Sequence, residues 1–299
     1  MSIENKIDKR ESIRVVTDNS IIDARDLSQL SLNARKLFYV AVSQCRKNDT
    51  VFYEYSTSPT ELAEMWGVKR QDVYQSARKI CRELMQIVIE LPNEGKNGFQ
   101  MRHLFEKCDY DEDSSLSFKL HGDMTDLILG LKKNFSKPLV WDFMKMRSNY
   151  SMAIWHLFQK EMHSFKPMMT SPIEFDLSLE ELRRVTGCEN KLKQIGQFKE
   201  RVLDKAIAEI KRNCWVDIHY TNIKRGRTIV GFRFLAESML GTRRIEDMPY
   251  RMQKLFRKAD LIQKRADGII TDEENEELRE LITELEQITI EDLVNKYPI

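Results

Sequence analysis

The sequence has no long apolar run, and its 299 residues include only 11 glycines, 7 prolines and 5 cysteines. No apolar segment approaches the roughly 18 residues that would cross a bilayer, so a membrane span is not expected. Residues 1–14 are polar and charged, and they lack the apolar core of a secretory signal. These absences predict a cytoplasmic protein without a membrane partner.

The residues that bind metals or nucleotides do not occur in the required patterns. The cysteines form no CxxC pair and have no histidine at zinc-ligand spacing, so free and mostly buried thiols are expected. No two histidines are separated by a single residue, as the nucleases of rolling-circle replication would require. The sequence also lacks GxxxxGK[ST] and HExxH. It therefore predicts neither an enzyme nor a bound cofactor or metal.

Charge is balanced overall but unevenly distributed. The formal net charge is only +1, which argues against a generally basic nucleic-acid binder. The segment from Arg183 to Arg265, however, contains roughly 21 Lys and Arg but only 9 Asp and Glu. The segment from Asp272 to Asp292 contains about ten acidic residues and a single basic one. A basic segment is thus followed by an acidic tail.

The first half of the chain shows an ordered series of helical and strand patterns. LSLNARKLFYVAVSQCR has a helical period behind a cap at Ser31, which predicts a helix to about Arg46. VFYEY (residues 51–55) alternates like a short strand. SPTELAEMWGVKRQDVYQSARKICRELMQ predicts a short helix, a break at Gly67 and a longer helix over about 70–86. Further strands are predicted in IVIEL, NGFQMRHLFEKCDY and SSLSFKL.

The same order returns about 120 residues later, with few identical residues. The second series is a helix in MRSNYSMAIWHLFQKEM, a strand in IEFDL, a short helix ending at Gly187, a longer helix in GQFKERVLDKAIAEIKRN, and a hairpin from CWVDIHY and TIVGFRF. This is the order of a winged helix. We therefore predict an α+β fold of two tandem winged-helix domains related by internal duplication. The expected parts are a flexible N-terminal arm (1–17), the two domains (18–138 and 139–238) and a helical tail (239–299).

The longer helix of the second copy has two different faces. Phe198, Val202, Ala206 and Ile210 recur at the helical period and predict a core side. Arg and Gln on the opposite face could donate paired hydrogen bonds to guanine or adenine in the major groove. Carboxylates at Glu200 and Asp204 leave the register open, and an ordinary solvated face is the alternative. The candidate DNA-binding residues here are Lys193, Gln197, Arg201, Lys205 and Arg212.

The longer helix of the first copy has an acid-free outer face opposite Val73, Ala77, Ile80 and Leu84. Because the first domain has less surplus positive charge, we expect this face to contact the DNA backbone or to serve a subunit interface. Its candidate residues are Gln71, Gln75, Arg78, Lys79 and Arg82.

The segment IHYTNIKRGRTIVGFRF follows the second longer helix and predicts a hairpin, the wing. Ile218, Tyr220, Ile229 and Phe232 are expected to alternate onto the core. The tip has three cations in four positions: Lys224, Arg225 and Arg227. A solvated turn explains Gly226, whereas three cations are typical of contacts with phosphates or the minor groove.

These segments resemble a known family, the iteron-binding initiator proteins of theta-replicating bacterial plasmids. The resemblance runs from about Asp18 to Ala236 and is most specific in MKMRSNYSMAIWHLFQ and in FKERVLDKAIAEIKRN followed by KRGRTIVGFRF; LSLNARKLFYVAVSQ is similar to the family's first helix. It implies that the second domain reads double-stranded DNA at directly repeated origin sites, while the first contacts backbone or minor groove and supports dimerisation. It further implies that dimers repress their own promoter, and that monomers open the origin and recruit a host helicase or initiator.

Two questions stay open at this point. A winged-helix transcriptional repressor or phage regulator would have the same pattern, and so would a protein-interaction module that merely retains the fold. In the tail, MPYRMQKLFRKADLIQKR is basic and amphipathic. The segment ITDEENEELRELITELEQITIEDL predicts a helix with one apolar face, formed by Leu278, Leu281, Ile282, Leu285 and Ile288. One interpretation is a helix that packs on the body or is partly disordered. The other is an acidic docking helix.

Overall fold

The computed structural model describes residues 14–46, 48–66, 68–92, 97–111, 115–162, 172–239 and 268–286, with residues 257, 261, 262, 264 and 265. The chain divides into two compact units. One comprises residues 11–238 and contains both predicted winged helices; the other comprises residues 1–10 and 239–299.

The first half of the large unit follows the predicted order of elements. Single 3-10 turns lie at Arg25–Gln29, Arg70–Asp72 and Gly122–Met124. The helices and strands are β1 (Thr17–Asp18), α1 (Asn19–Asp23), α2 (Leu32–Gln44), β2 (Tyr55–Thr57), α3 (Pro59–Trp66), α4 (Val73–Gln86), β3 (Val88–Pro92), β4 (Phe99–His103), β5 (Phe105–Asp111), β6 (Ser115–Leu120), α5 (Thr125–Ile128), β7 (Phe135–Ser136) and α6 (Val140–Met144).

Local sequence accounts for where the first-domain helices begin, while pairing decides the strands. Ser31 caps α2, as predicted, because its hydroxyl accepts from the Ala34 N–H at 3.4 Å. The predicted strand over 51–55 is displaced to Tyr55–Thr57, and Val51 and Tyr53 are exposed. The physical reason is that only residues 55–57 lie opposite a partner, β6.

The second half of the large unit repeats the arrangement. Its elements are α7 (Asn149–Glu161), β8 (Ile173–Ser178), α8 (Leu179–Thr186), α9 (Ile195–Phe198), α10 (Asp204–Cys214), β9 (Val216–Arg225) and β10 (Thr228–Ser238). Strands β8, β10 and β9 form an antiparallel sheet in that order. Its inner side packs aromatic rings against α7, with Phe234 centroids 4.8 Å from Phe158 and 5.4 Å from Phe175.

The winged-helix elements of the two copies match in order. In the first copy β2, β6 and β5 form a three-stranded sheet, as β8, β10 and β9 do in the second. The β3–β4 hairpin, which follows α4 directly, pairs with neither of these sheets and is additional to the winged-helix order. The two tandem winged helices predicted from the sequence are therefore confirmed.

The two winged helices meet at a buried polar junction. The His156 imidazole of α7 lies 2.9 Å from the Tyr39 hydroxyl on one side, and 3.1 and 3.3 Å from Ser136 and Thr17 on the other. Burial lowers the pKa of His156 to about 3, and the nearby Arg35 guanidinium adds to this effect. The ring is therefore neutral at physiological pH and serves as a hydrogen-bonding centre of the junction.

The end of the predicted N-terminal arm is part of this folded body. The Val15 N–H donates to the Pro138 carbonyl at 2.9 Å, Thr17 pairs with Ser136, and Val15 and Thr17 are fully buried. Residues 1–13 lie outside the described part of the chain.

The small unit contains the tail helix α11 (Asp272–Glu286). Leu278 and Leu281 pack with Leu261, and Ile282 lies against them, which confirms these positions of the predicted apolar face. The side chain of Leu285, residue 288 and most of the basic stretch 248–265 lie outside the described residues. Two of the basic residues that are described bind α11: Arg257 bidentately to Glu277, and Lys264 to Glu274.

Candidate nucleic-acid interface

The second helix of the second domain is continuous but not uniform. A π-helical turn, Lys199–Leu203, joins α9 to α10, and together these form the recognition helix, Ile195–Cys214. The predicted core face is confirmed: Phe198, Val202, Ala206 and Ile210 are fully buried. The π-helical turn was not predicted. It widens the helix between Gln197 and Lys205, and such turns are frequent at functional sites.

Most of the predicted DNA-binding residues on this helix lie on its surface. The candidates were predicted for a regular α-helix, but the π-helical turn alters the spacing of side chains across residues 199–203. Gln197 is half-buried, and the other four candidates are exposed: Lys193 in the turn before the helix, and Arg201, Lys205 and Arg212 on the helix.

The carboxylate of Asp204 is held by a strand of the wing. The Tyr220 hydroxyl donates to Asp204 Oδ1 at 2.6 Å, and Lys199 Nζ lies 5.2 Å from the centre of the Tyr220 ring. Burial and this carboxylate both raise the pKa of the Tyr220 phenol, so it stays a donor. Asp204 thus has a fixed partner within the protein, although its side chain is exposed, as is that of Glu200. Sequence reasoning missed this contact because Tyr220 was assigned to the core.

The wing is a long hairpin with a basic tip. Arg225 pairs with Thr228 across a two-residue turn, in which Gly226 has φ +61°. An added Cβ at Gly226 would meet nothing within 4 Å, so glycine is favoured there for its backbone conformation and not for space. Lys224, Arg225 and Arg227 are all exposed, as predicted.

The three wing cations have no acidic partner among the residues that the structure describes. Arg233 on β10, the second strand of the hairpin, provides the contrast, since it binds Asp176 at 2.8 Å and Glu174 at 3.2 Å. Exposed cations without a carboxylate partner keep their full charge available for a polyanion.

The four predicted core residues of the wing strands share one face of the hairpin but are not equally buried. Ile218 and Phe232 are buried, whereas Tyr220 and Ile229 are half-buried. The Tyr220 ring packs on Phe232 and Phe234, with centroids 5.3 and 5.8 Å apart. A bulge between Ile229 and Gly231 was not predicted; it places Ile229, which pairs with Lys224, on the same face as Phe232, which pairs with Asn222.

The longer helix of the first domain, α4, has the predicted two-faced form. Val73, Ala77, Ile80 and Leu84 are buried. The acid Glu83 is directed towards α2, where its carboxylate accepts from the Ser31 N–H at 3.1 Å. The five predicted contact residues are all exposed: Gln71, Gln75, Arg78, Lys79 and Arg82.

The described residues contain neither a cluster of metal-binding side chains nor a membrane-spanning helix. No group of three or more metal-binding side chains occurs among them, and no described helix is long and apolar enough to cross a membrane. The five cysteines are free thiols, of which Cys188 and Cys214 are buried and the other three half-buried.

Comparison with known proteins gives the same picture. Residues 14–159 match the family model described as initiator replication protein, WH1, and residues 178–235 match the model described as initiator Rep protein, WH2. Among solved structures, that of Pi initiator protein in complex with iteron DNA has a TM-score of 0.63 at 21% identity, covering 76% of this chain and 97% of that chain.

Two curated relatives from Escherichia coli are similar over shorter stretches. A replication initiation protein is 26% identical over 184 residues, which is 61% of this chain and 54% of the relative. The PI protein is 32% identical over 114 residues, 36% of this chain and 37% of the relative. The matches thus span about half or less of the length of these relatives. The two family models together span most of the large unit, and the chain therefore belongs to the initiator replication protein family, with its WH1 and WH2 domains in tandem.

Proposed function

We propose that this chain is a sequence-specific double-stranded DNA-binding initiator of plasmid replication that binds direct repeats at its origin. The observation that carries the proposal is the second winged helix. Its recognition helix has three exposed cationic candidates, the turn before it has a fourth, and the adjacent wing has three exposed cations without acidic partners among the described residues. Membership of the initiator family and the fold shared with a protein solved on iteron DNA support it.

The two elements of the second domain would have different tasks. Arg201 and Gln197 can present paired donors to base edges, so we assign base reading to the recognition helix. Lys224, Arg225 and Arg227 can neutralise phosphates, which adds affinity without sequence information. The exposed face of α4 in the first domain would contact the DNA backbone or a second subunit.

The proposal extends to the protein's partners. Dimers would repress the protein's own promoter, whereas monomers would open the origin and recruit a host helicase or initiator in the bacterial cytoplasm. No catalytic step is assigned to the chain. The support is the initiator family and the replication initiation protein among its relatives.

Footprinting on the DNA flanking the gene tests this function. We expect protection of tandem direct repeats, each spanning about two helical turns. Protection of a single palindrome would instead identify a repressor or phage regulator. Absence of any protected site would contradict DNA binding and leave a protein-interaction module.

A further inference from the structure

Arg183, in the last turn of α8, makes an unusual set of contacts with the turn that leads to the recognition helix. Its Nη1 donates to the carbonyls of Cys188 at 2.8 Å and Lys191 at 2.9 Å. Its Nη2 donates to the carbonyls of Leu192 at 3.0 Å and Lys193 at 3.2 Å. Both terminal nitrogens are therefore engaged with the protein backbone, which only a planar fork of donors can arrange.

The same guanidinium also contacts the recognition helix itself. Its central carbon lies 4.7 Å from the ring centre of Phe198, and that ring is fully buried. A cation over an aromatic face is attracted to it, most strongly where water is excluded. Arg183 thus joins three parts of the domain: α8, the turn and the first turn of the recognition helix.

The turn at residues 187–194 needs such a restraint. It begins at Gly187 with φ +64° and contains Leu192 with φ +49°, a conformation that is unfavourable for a residue with a side chain. The residue before the recognition helix, Gln194, makes no side-chain capping hydrogen bond. Backbone carbonyls that lack secondary-structure partners require other donors, and Arg183 supplies four of these bonds.

The first domain differs at the corresponding place. At the offset of 120 residues that relates α3 to α8, Ala63 occupies the position of Arg183. There only three residues separate the end of α3 at Trp66 from a 3-10 turn at Arg70–Asp72, which leads directly into α4. A short turn has little freedom to restrain. The arginine is found in the copy with the long turn, which is also the copy to which base reading is assigned.

We infer that Arg183 is the positioning residue of the recognition helix: it fixes the turn at residues 187–194, and with it Lys193 and the base-reading face, without contacting DNA. The inference rests on the proposed function, because it concerns how the same helix reads DNA. Its consequence is selective. A less restrained turn lets the recognition helix deviate from the orientation that base contacts require. The phosphate contacts of the wing are less sensitive to small displacements of the protein.

The experiment compares the full chain with Arg183→Lys and Arg183→Met. The probes are the duplex that the wild-type protein selects from a randomised library and a duplex of random sequence. We expect affinity for the selected duplex to fall about tenfold in the lysine variant and further in the methionine variant. Affinity for random duplex and its salt dependence stay at wild-type values, because no phosphate contact is removed. The melting temperature falls only slightly, because the hydrogen bonds that are lost lie within one turn. Arg233→Lys, which alters a surface ion pair of the same domain, is the matched control and should leave both affinities unchanged.

Amide hydrogen exchange provides the second readout, and in both variants we expect faster exchange confined to about residues 187–198. Unchanged affinity for the selected duplex would overturn the inference. So would an equal loss on both duplexes with a smaller salt dependence, which would assign Arg183 to a phosphate. A lower melting temperature with faster exchange throughout the domain would assign it to global stability and overturn the inference as well. If the wild-type protein selects no duplex, the proposed function itself fails.

Discussion

The wing gives the most quantitative prediction, because its three cations are exposed and have no acidic partner among the described residues. The perturbation replaces Lys224, Arg225 and Arg227 together by glutamine. Glutamine keeps the side chains polar and leaves Gly226, which the turn favours, in place. The fold is therefore expected to persist, and any change in DNA binding reports the charges.

The magnitude follows from counterion release. Each phosphate that a cation neutralises contributes about 0.9 to the slope of log affinity against log salt, so three contacts contribute about 2.7. The triple variant should show a slope shallower by that amount. Over a rise from about 50 to about 200 mM salt, this share of the slope corresponds to roughly a 40-fold change in affinity. The loss should be equal on selected and random duplexes, since phosphates carry no sequence.

The assay is a titration of labelled duplex by fluorescence anisotropy over a salt series. The control removes the same net charge at Lys107, Lys119 and Arg233, cations that already bind carboxylates at 2.9, 3.1 and 2.8 Å. The control slope should stay close to that of the wild type. An equal change of slope in both variants would show that only net charge matters, and an unchanged slope in the wing variant would refute the assignment of the wing to phosphates.

Three further predictions concern base reading, packing and pH. Arg201→Ala should weaken the binding free energy by roughly 1 to 3 kcal/mol on the selected duplex and little on random DNA. Arg279→Ala on the tail helix is the control. An equal loss of binding free energy on both duplexes would refute base reading by Arg201. Phe234→Ala should lower the free energy of unfolding by about 3 to 5 kcal/mol in denaturant titrations, since its ring is fully buried; a loss below about 1 kcal/mol would contradict the packing. His156→Asn should be most destabilising near neutral pH. Between pH 6.5 and about 3, His156 binds a proton in the unfolded state but not in the folded state, so the wild type loses stability as pH falls. The difference in free energy of unfolding between wild type and variant therefore narrows by up to about 1.4 kcal/mol per pH unit. The buried Asp142, whose pKa burial raises to about 7, has the opposite pH dependence over part of this range, so the difference between the two proteins is the quantity to measure; a constant gap would show that His156 is not buried as described.

Local sequence was sufficient for the helices and the wing tip. The cap at Ser31 and the core faces of α4 and the recognition helix follow from side-chain period and capping, which act within a few residues. The exposure of Lys224, Arg225 and Arg227 follows in the same way from a tight turn that favours glycine at its first position. The repetition of these local patterns was enough to predict two winged helices.

Long-range contacts decided what the local pattern could not. The bulge in β10 placed Ile229 and Phe232, three residues apart, on the same face of the hairpin, and the partner strand β6 moved β2 along the chain. The additional β3–β4 hairpin could not be distinguished from the wing strands by alternation alone. Pairing between strands depends on residues far apart in sequence, which a periodic pattern does not reveal.

The sequence by itself thus determined the elements, their duplication and the charged residues at their surfaces, because amphipathic period and turn chemistry are local properties. Only the tertiary structure showed that Tyr220 holds Asp204, that His156 joins the two winged helices, and that Arg183 binds the turn before the recognition helix. Each of these contacts joins residues that chain folding alone brings together, and each limits how freely the proposed DNA-reading surface can move.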